Sequence, residues 1–125
     1  MDYNYLPNTK IKVSKICLGT MTWGRQNSQD EAFDQMNYSI DRGVNFFDTA
    51  ELYPVPASPD KYAITEEIIG NWFHKSKKRD KVILATKIAG PGDYTAHIRK
   101  YGFTASSIED AVNGSLKRLK TDYID

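Results

Sequence analysis

The stretch GVNFFDTAELY, residues 43–53, joins an apolar run, Val44 to Phe47, to an aspartate, Asp48, and places a tyrosine, Tyr53, five positions later. Aromatic and β-branched residues that close in a small polar pair mark residues 43–49 as a strand. A carboxylate at the end of an apolar strand is costly to hold unless a cation sits beside it. The same pattern recurs in KVSKICLGT, 12–20, and in KVILATK, 81–87, and TDYID, 121–125, opens a fourth strand.

Three helical segments lie between these strands. The first opens at Ser28 with Glu31 three residues on, a capping box in which each side chain satisfies a backbone N–H of the other. Phe33, Met36 and Ile40 share its inner face, and Gly43 follows Arg42 as its terminator. The spacing predicts a second helix from Thr65, with Glu66 and Glu67 in its first turn against the helix dipole. Ile64 and Ile69 have the spacing of a hydrophobic staple there, and Ile68, Trp72 and Phe73 extend the apolar face. The third is predicted to open at Ser106 with Glu109 as its capping box. Ile108, Ala111, Val112, Leu116 and Leu119 form its stripe, and Lys117, Arg118 and Lys120 crowd its last turn.

Strand alternating with helix argues for an α/β protein with parallel βαβ units and right-handed crossovers, its strands apolar on both faces and covered on both. Ahead of the alternation, YNYL-PNT-KIKV reads as a hairpin turned at Pro7 and Asn8. The two long loops, after Tyr53 and after Lys87, follow the C-terminal ends of strands, where α/β proteins place their ligands. No composition shift marks a linker, so residues 1–125 are expected to be one domain or part of one.

Composition narrows the function by exclusion. Lys and Arg total 17 against 16 Asp and Glu, so no net field favours nucleic acid or an acidic membrane. The N-terminus has neither the basic nor the apolar region of a leader, and no apolar run is long enough to span a bilayer. A reducing, cytoplasmic setting is therefore the expectation. The lone Cys17, inside ICLG, reads as a small buried hydrophobe. His74 and His97 lie apart and are expected to be solvated. No cluster has metal-ligand spacing, so no metal is expected.

The cation for Asp48 is expected to be Lys87. Strand C-termini of a parallel sheet or barrel emerge at one rim, so the two side chains can meet there. An unperturbed phenol, with a pKa of about 10, is a weak proton donor at neutral pH, and a neighbouring ammonium favours its phenolate. Asp48, Lys87 and Tyr53 together would thus make a general acid for a developing alkoxide. Spacing alone leaves open a structural Asp–Lys pair with Tyr53 as an ordinary loop aromatic. Glu51 is expected to be a helix-start or surface residue.

LGTMTWG, NFFDTAELY, LATK and SLKRLKTDYID resemble the aldo-keto reductases; MTWGRQNSQDEA, AELYPVPASP and IIGNWF resemble their Tas-like branch, so the similarity runs over essentially the whole chain. The resemblance implies a (β/α)8 TIM barrel closed at its bottom by an N-terminal hairpin. Residues 1–125 would be the hairpin, the first three βα units and the start of strand four. It also implies hydride transfer between nicotinamide C4 and an aldehyde or ketone carbonyl, with NADPH/NADP as cofactor and a small carbonyl compound as substrate. Carried over by motif, Tyr53 is the proton donor, Lys87 tunes it, and Asp48 partners Lys87. Gly19, Thr20, Met21 and Asp48 match the nicotinamide side of the cofactor site. Gln26 matches a cofactor-contacting glutamine of the related potassium-channel β subunits if one gap is allowed. Trp23 joins Tyr53 near the substrate mouth.

The family's fourth catalytic residue, a histidine on the fourth strand, is matched by neither His74 nor His97. The segments that grip the pyrophosphate and the adenosine 2′-phosphate come, in the family, from later strands. The 125-residue chain is therefore expected to be inactive alone and to self-associate through an open barrel edge. The competing expectation is a non-catalytic binding or regulatory protein, or a truncated remnant, on the same scaffold, similar to the channel β subunits. A doubly wound nucleotide-binding domain is disfavoured, because LGTMTWG lacks the G-x-G-x-x-G spacing.

Overall fold

Pro7 and Asn8 turn the chain, Asn8 in the left-handed region at φ +60°, so that β1 (Tyr3–Tyr5) pairs antiparallel with β2 (Lys12–Ser14). The computed structural model describes all 125 residues. The single strand predicted over 12–20 is broken in two. Ser14 Oγ donates to the Ile16 carbonyl at 2.6 Å, and Lys15 N–H turns aside to the Asp2 carbonyl. Asn45 fills the gap: its Oδ1 accepts from Ser14 N–H and its Nδ2 donates to the Lys12 carbonyl. β2 thus belongs to the hairpin, and β3 (Cys17–Gly19) begins the main sheet.

That sheet is parallel, in the order β3, β4 (Phe46–Asp48), β5 (Ile83–Ala85), with Gly19, Asp48 and Ala85 in one register. Leu18, Phe47 and Leu84 share one face. Phe47 and Leu84 are buried against Met36, Ile69, Trp72 and Leu119 from the helices, with Leu18 packed on the same core. Within residues 1–125 the helices cover only one of the two faces. Cys17 and Gly19 on the opposite face are exposed, and Phe46, Asp48, Ile83 and Ala85 beside them are half-buried. Cys17 is accordingly not the buried hydrophobe expected. Partial shielding and then the Asp48 carboxylate still push its thiol above the ordinary value, which disfavours a reactive thiolate.

The helices follow their sequence signals, with shifted starts. α1 (Gln29–Asp41) carries the Ser28–Glu31 capping box and ends before Gly43, which takes φ +82°. α2 (Ile64–Ser76) begins two residues earlier than predicted, capped by Ala63 in a left-handed conformation instead of by Thr65, with no side-chain cap bond. Thr65 is inside the helix, and its Oγ1 donates instead to the Trp23 carbonyl at 2.7 Å. α3 (Ala105–Leu119) is capped by Thr104 and Ser107 rather than by Ser106 and Glu109. A serine hydroxyl in the third helical position does the work that the sequence rule assigns to an acid. α2 and α3 meet at Gly70, where a Cβ would stand 2.0 Å from the Arg118 carbonyl oxygen.

Residues 121–125 lie beside β5 without forming a ladder. The Asp125 carboxylate takes the Leu84 N–H at 2.9 Å, the place a strand carbonyl would fill, and also pairs with Arg79. No helix is long and apolar enough to cross a membrane.

Candidate active site

Asp48 closes β4, and Lys87 lies two residues past the end of β5. Because the strands are parallel and in register, both emerge at the same rim. Lys87 Nζ donates to Asp48 Oδ1 and Oδ2, each at 2.7 Å, and to the Thr49 carbonyl at 2.6 Å. The pair is open to solvent, with side chains 47% and 38% exposed. A pair this exposed contributes little to stability, so its three-point geometry says more about orientation than about folding.

Tyr53 reaches the pair through the turn that follows β4. Thr49 N–H donates to the Ala85 carbonyl and Glu51 N–H to the Lys87 carbonyl at 3.0 Å, which extends the β4–β5 pairing past both strands. Tyr53 N–H then closes on the Ala50 carbonyl. This turn sets the Tyr53 ring centroid 5.0 Å from Lys87 Nζ. Asp48, Lys87 and Tyr53 are thereby gathered in one place.

The residues expected around the cofactor divide. Gly19 is opposite Asp48, and the space where its Cβ would stand is clear of other atoms within 4 Å. A planar ring can approach that backbone, so the glycine fits the nicotinamide side of a cofactor site. Thr20 is fully buried and its Oγ1 donates to the Asp48 carbonyl at 2.9 Å, so its hydroxyl positions Asp48's backbone. Met21 is exposed at the rim, and its carbonyl accepts from Val55 N–H. Gln26 is exposed in a shallow hollow with Asn27, Lys61 and Asn71, a group that contains none of the three rim residues.

Trp23 is corrected. Its side chain is 0% exposed within the core, and its Nε1 donates to Gln35 Oε1 at 2.9 Å, so it packs the fold rather than lining a substrate mouth. His74 and His97 are exposed and far apart in sequence; His97 meets only the edge of the Tyr62 ring among the aromatics. A surface hollow of about 790 Å³, lined by His74, Lys77, Arg79, Lys120 and Tyr123, sits by the start of β5, at the end of the strand away from the rim.

Two buried carboxylates behind the rim escaped the sequence reading. Glu51, expected at the surface, is 1% exposed; its Oε1 accepts from Arg99 Nη1 at 2.5 Å and from Ala89 N–H at 3.1 Å. Burial raises its carboxyl above the ordinary range, against the opposing pull of the Ala89 N–H and the Arg99 charge. Glu66, expected to serve the helix dipole, is also buried; it accepts from Arg118 Nε and Thr86 Oγ1, each at 2.7 Å. Neither partner is signalled by spacing, since Arg99 lies 48 residues from Glu51 and Arg118 lies 52 from Glu66.

An ammonium locked by a carboxylate beside a phenol is suited to passing a proton to an oxygen that is gaining negative charge. The family model described as the aldo/keto reductase family matches residues 15–125. The chain is 42% identical over 127 residues to Protein tas of Escherichia coli (strain K12), covering all of this chain and 37% of that protein. It is 41% identical over 130 residues to the oxidoreductase YrpG of Bacillus subtilis (strain 168), covering all of this chain and 38% of that one. Among solved structures, the holo form of an aldo-keto reductase from Bacillus halodurans superposes with a TM-score of 0.77 at 28% identity, over all of this chain and 38% of its own. The chain thus spans under two-fifths of the length of these relatives.

Proposed function

The chain belongs to the aldo/keto reductase family, and from that premise we propose that it forms the proton-donating rim of an NADPH-dependent reductase of aldehydes or ketones. The observation that carries the reading is the position of Lys87 Nζ, bonded to both oxygens of Asp48 and 5.0 Å from the Tyr53 ring centroid. Gly19, Met21 and Asp48 would hold the nicotinamide end of the cofactor, which when bound supplies the hydride. Tyr53 gives its phenolic proton to the substrate oxygen as that oxygen becomes an alkoxide. Lys87 offsets the negative charge left on the phenolate, and Asp48 keeps Lys87 oriented toward the ring. Residues 1–125 act in this reading as part of one barrel domain in the cytoplasm, and taken by itself the 125-residue chain would self-associate through its open edge.

The test is Tyr53→Phe in the protein expressed from the complete reading frame that encodes this chain. General acid catalysis contributes about 10²-fold or more, so carbonyl reduction by NADPH should fall by at least that factor with cofactor binding unchanged. A loss smaller than about tenfold would remove Tyr53 from the role and favour a binding or regulatory protein on this scaffold.

A further inference from the structure

We infer that Arg99 and Glu51 form a buried clasp that fixes Lys87 against the Tyr53 turn, which makes both of them positioning residues for the proton transfer. The inference rests on the reductase reading for its catalytic half and on geometry alone for the clasp. Glu51 stands two residues before Tyr53, and Ala89 stands two residues after Lys87. Glu51 grips this second segment twice, by its N–H on the Lys87 carbonyl and by its carboxylate on the Ala89 N–H. Arg99 completes the closure: Nη1 donates both to Glu51 Oε1 at 2.5 Å and to the Ala89 carbonyl at 2.7 Å.

Arg99 comes from the loop after β5 and is held there by its own N–H on the Thr95 carbonyl and by a long Nη2 contact of 3.4 Å to the Ser107 carbonyl. The guanidinium therefore joins that loop and the two segments that carry Tyr53 and Lys87. Both protein contacts of the Glu51 carboxylate, from Ala89 N–H and Arg99 Nη1, are made to Oε1. A buried ion pair is a weak source of net stability compared with apolar packing, but it fixes geometry because separating it leaves an uncompensated charge. Misplacement of reacting groups by about 1 Å can cost about 10²-fold in rate, which is the scale on which a loosened clasp would act.

Two variants, Arg99→Ala and Arg99→Lys, read the inference in the protein from the complete reading frame. In Arg99→Ala the amides of Glu51 and Ala89 should exchange hydrogen at least about tenfold faster, while Ile83 and Thr49, bonded to Asn45 and Ala85, keep their protection. kcat should fall about 10- to 100-fold with the substrate KM and NADPH affinity within about twofold, and Arg99→Lys, which keeps the charge without the fork, should recover part of both effects. If Arg99→Ala fails to fold, Arg99→Lys is read against wild type by the same measurements, with an intermediate loss expected. Unchanged exchange at Glu51 and Ala89 overturns the clasp; faster exchange with unchanged kcat overturns its role in positioning. A wild type no faster than Tyr53→Phe instead overturns the reductase reading and the catalytic half of this inference, while the exchange result still judges the clasp.

Discussion

At the scale of single residues, Glu51 makes folding stability depend on pH. Burial raises its carboxyl, Glu66 pushes the same way, and Ala89 N–H, Arg99 and Arg118 pull it down. From the ordinary 4.5 up to the raised value, the folded chain holds a proton that the unfolded chain has released. This contribution to stability is therefore full below 4.5 and is lost as pH rises through the window. Glu31 has the opposite slope, since the Ser28 backbone and side chain lower its carboxyl; its contribution is present above 4.5 and lost as pH falls below it. Comparing Glu51→Gln with wild type in urea unfolding across acidic and neutral pH isolates the Glu51 contribution. Stability of the variant relative to wild type should rise with pH above 4.5, and a pH-independent difference would rule the assignment out. Sequence alone made Asp48 and Lys87 legible because both close strands, and strand ends of one register share a rim. It misplaced Glu51 because an acid after a strand looks like any loop carboxylate, and its partner lies in a loop with no periodicity to mark it.

At the scale of elements, the α2–α3 crossing depends on the missing side chain of Gly70. A Cβ there would lie 2.0 Å from the Arg118 carbonyl oxygen and 2.9 Å from two Leu119 backbone atoms, so the helices would have to part. Overpacking typically costs about 1–3 kcal/mol, and backbone atoms cannot rotate aside, which puts Gly70→Ala near the upper end. Ser28→Ala, which removes only the α1 cap, should cost about 1 kcal/mol. Urea midpoints of the two variants give the comparison, and a Gly70→Ala no more harmful than Ser28→Ala would mean that the crossing yields easily. The helices were legible because apolar residues at three- and four-residue spacings need only the local chain. Their starts were less so: Thr65 serves Trp23 instead of a cap, a choice made by a residue 42 positions away. The break after Ser14 was hidden for the same reason, since β-forming residues continue across it and Asn45, 31 residues on, ends the ladder.

At the scale of the whole molecule, the helices bury one face of the parallel sheet and leave the other open. The alternation of strand and helix made the α/β class legible, and the barrel followed from the resemblance to the aldo-keto reductases. The uneven covering was not, because apolar residues stand on both faces of each strand and burial depends on what lies opposite. Leu18, Phe47 and Leu84 point to the helices, while Cys17, Phe46 and Ile83 lie on the face that no helix covers. Outside the sheet, Tyr94, Tyr101 and Phe103 in the loop after β5 add exposed aromatic surface. Apolar surface beside unpaired strand edges is an invitation to association. The 125-residue chain by itself should therefore elute above monomer size at micromolar concentration, bind a hydrophobic dye, and unfold over a broad range of urea. Replacing Phe46 and Ile83 by serine should shift it toward monomer, because neither side chain belongs to the core under the helices. A compact monomer with a single sharp unfolding transition would mean that the open sheet face is tolerated in water, and association would then have to be traced to some other surface.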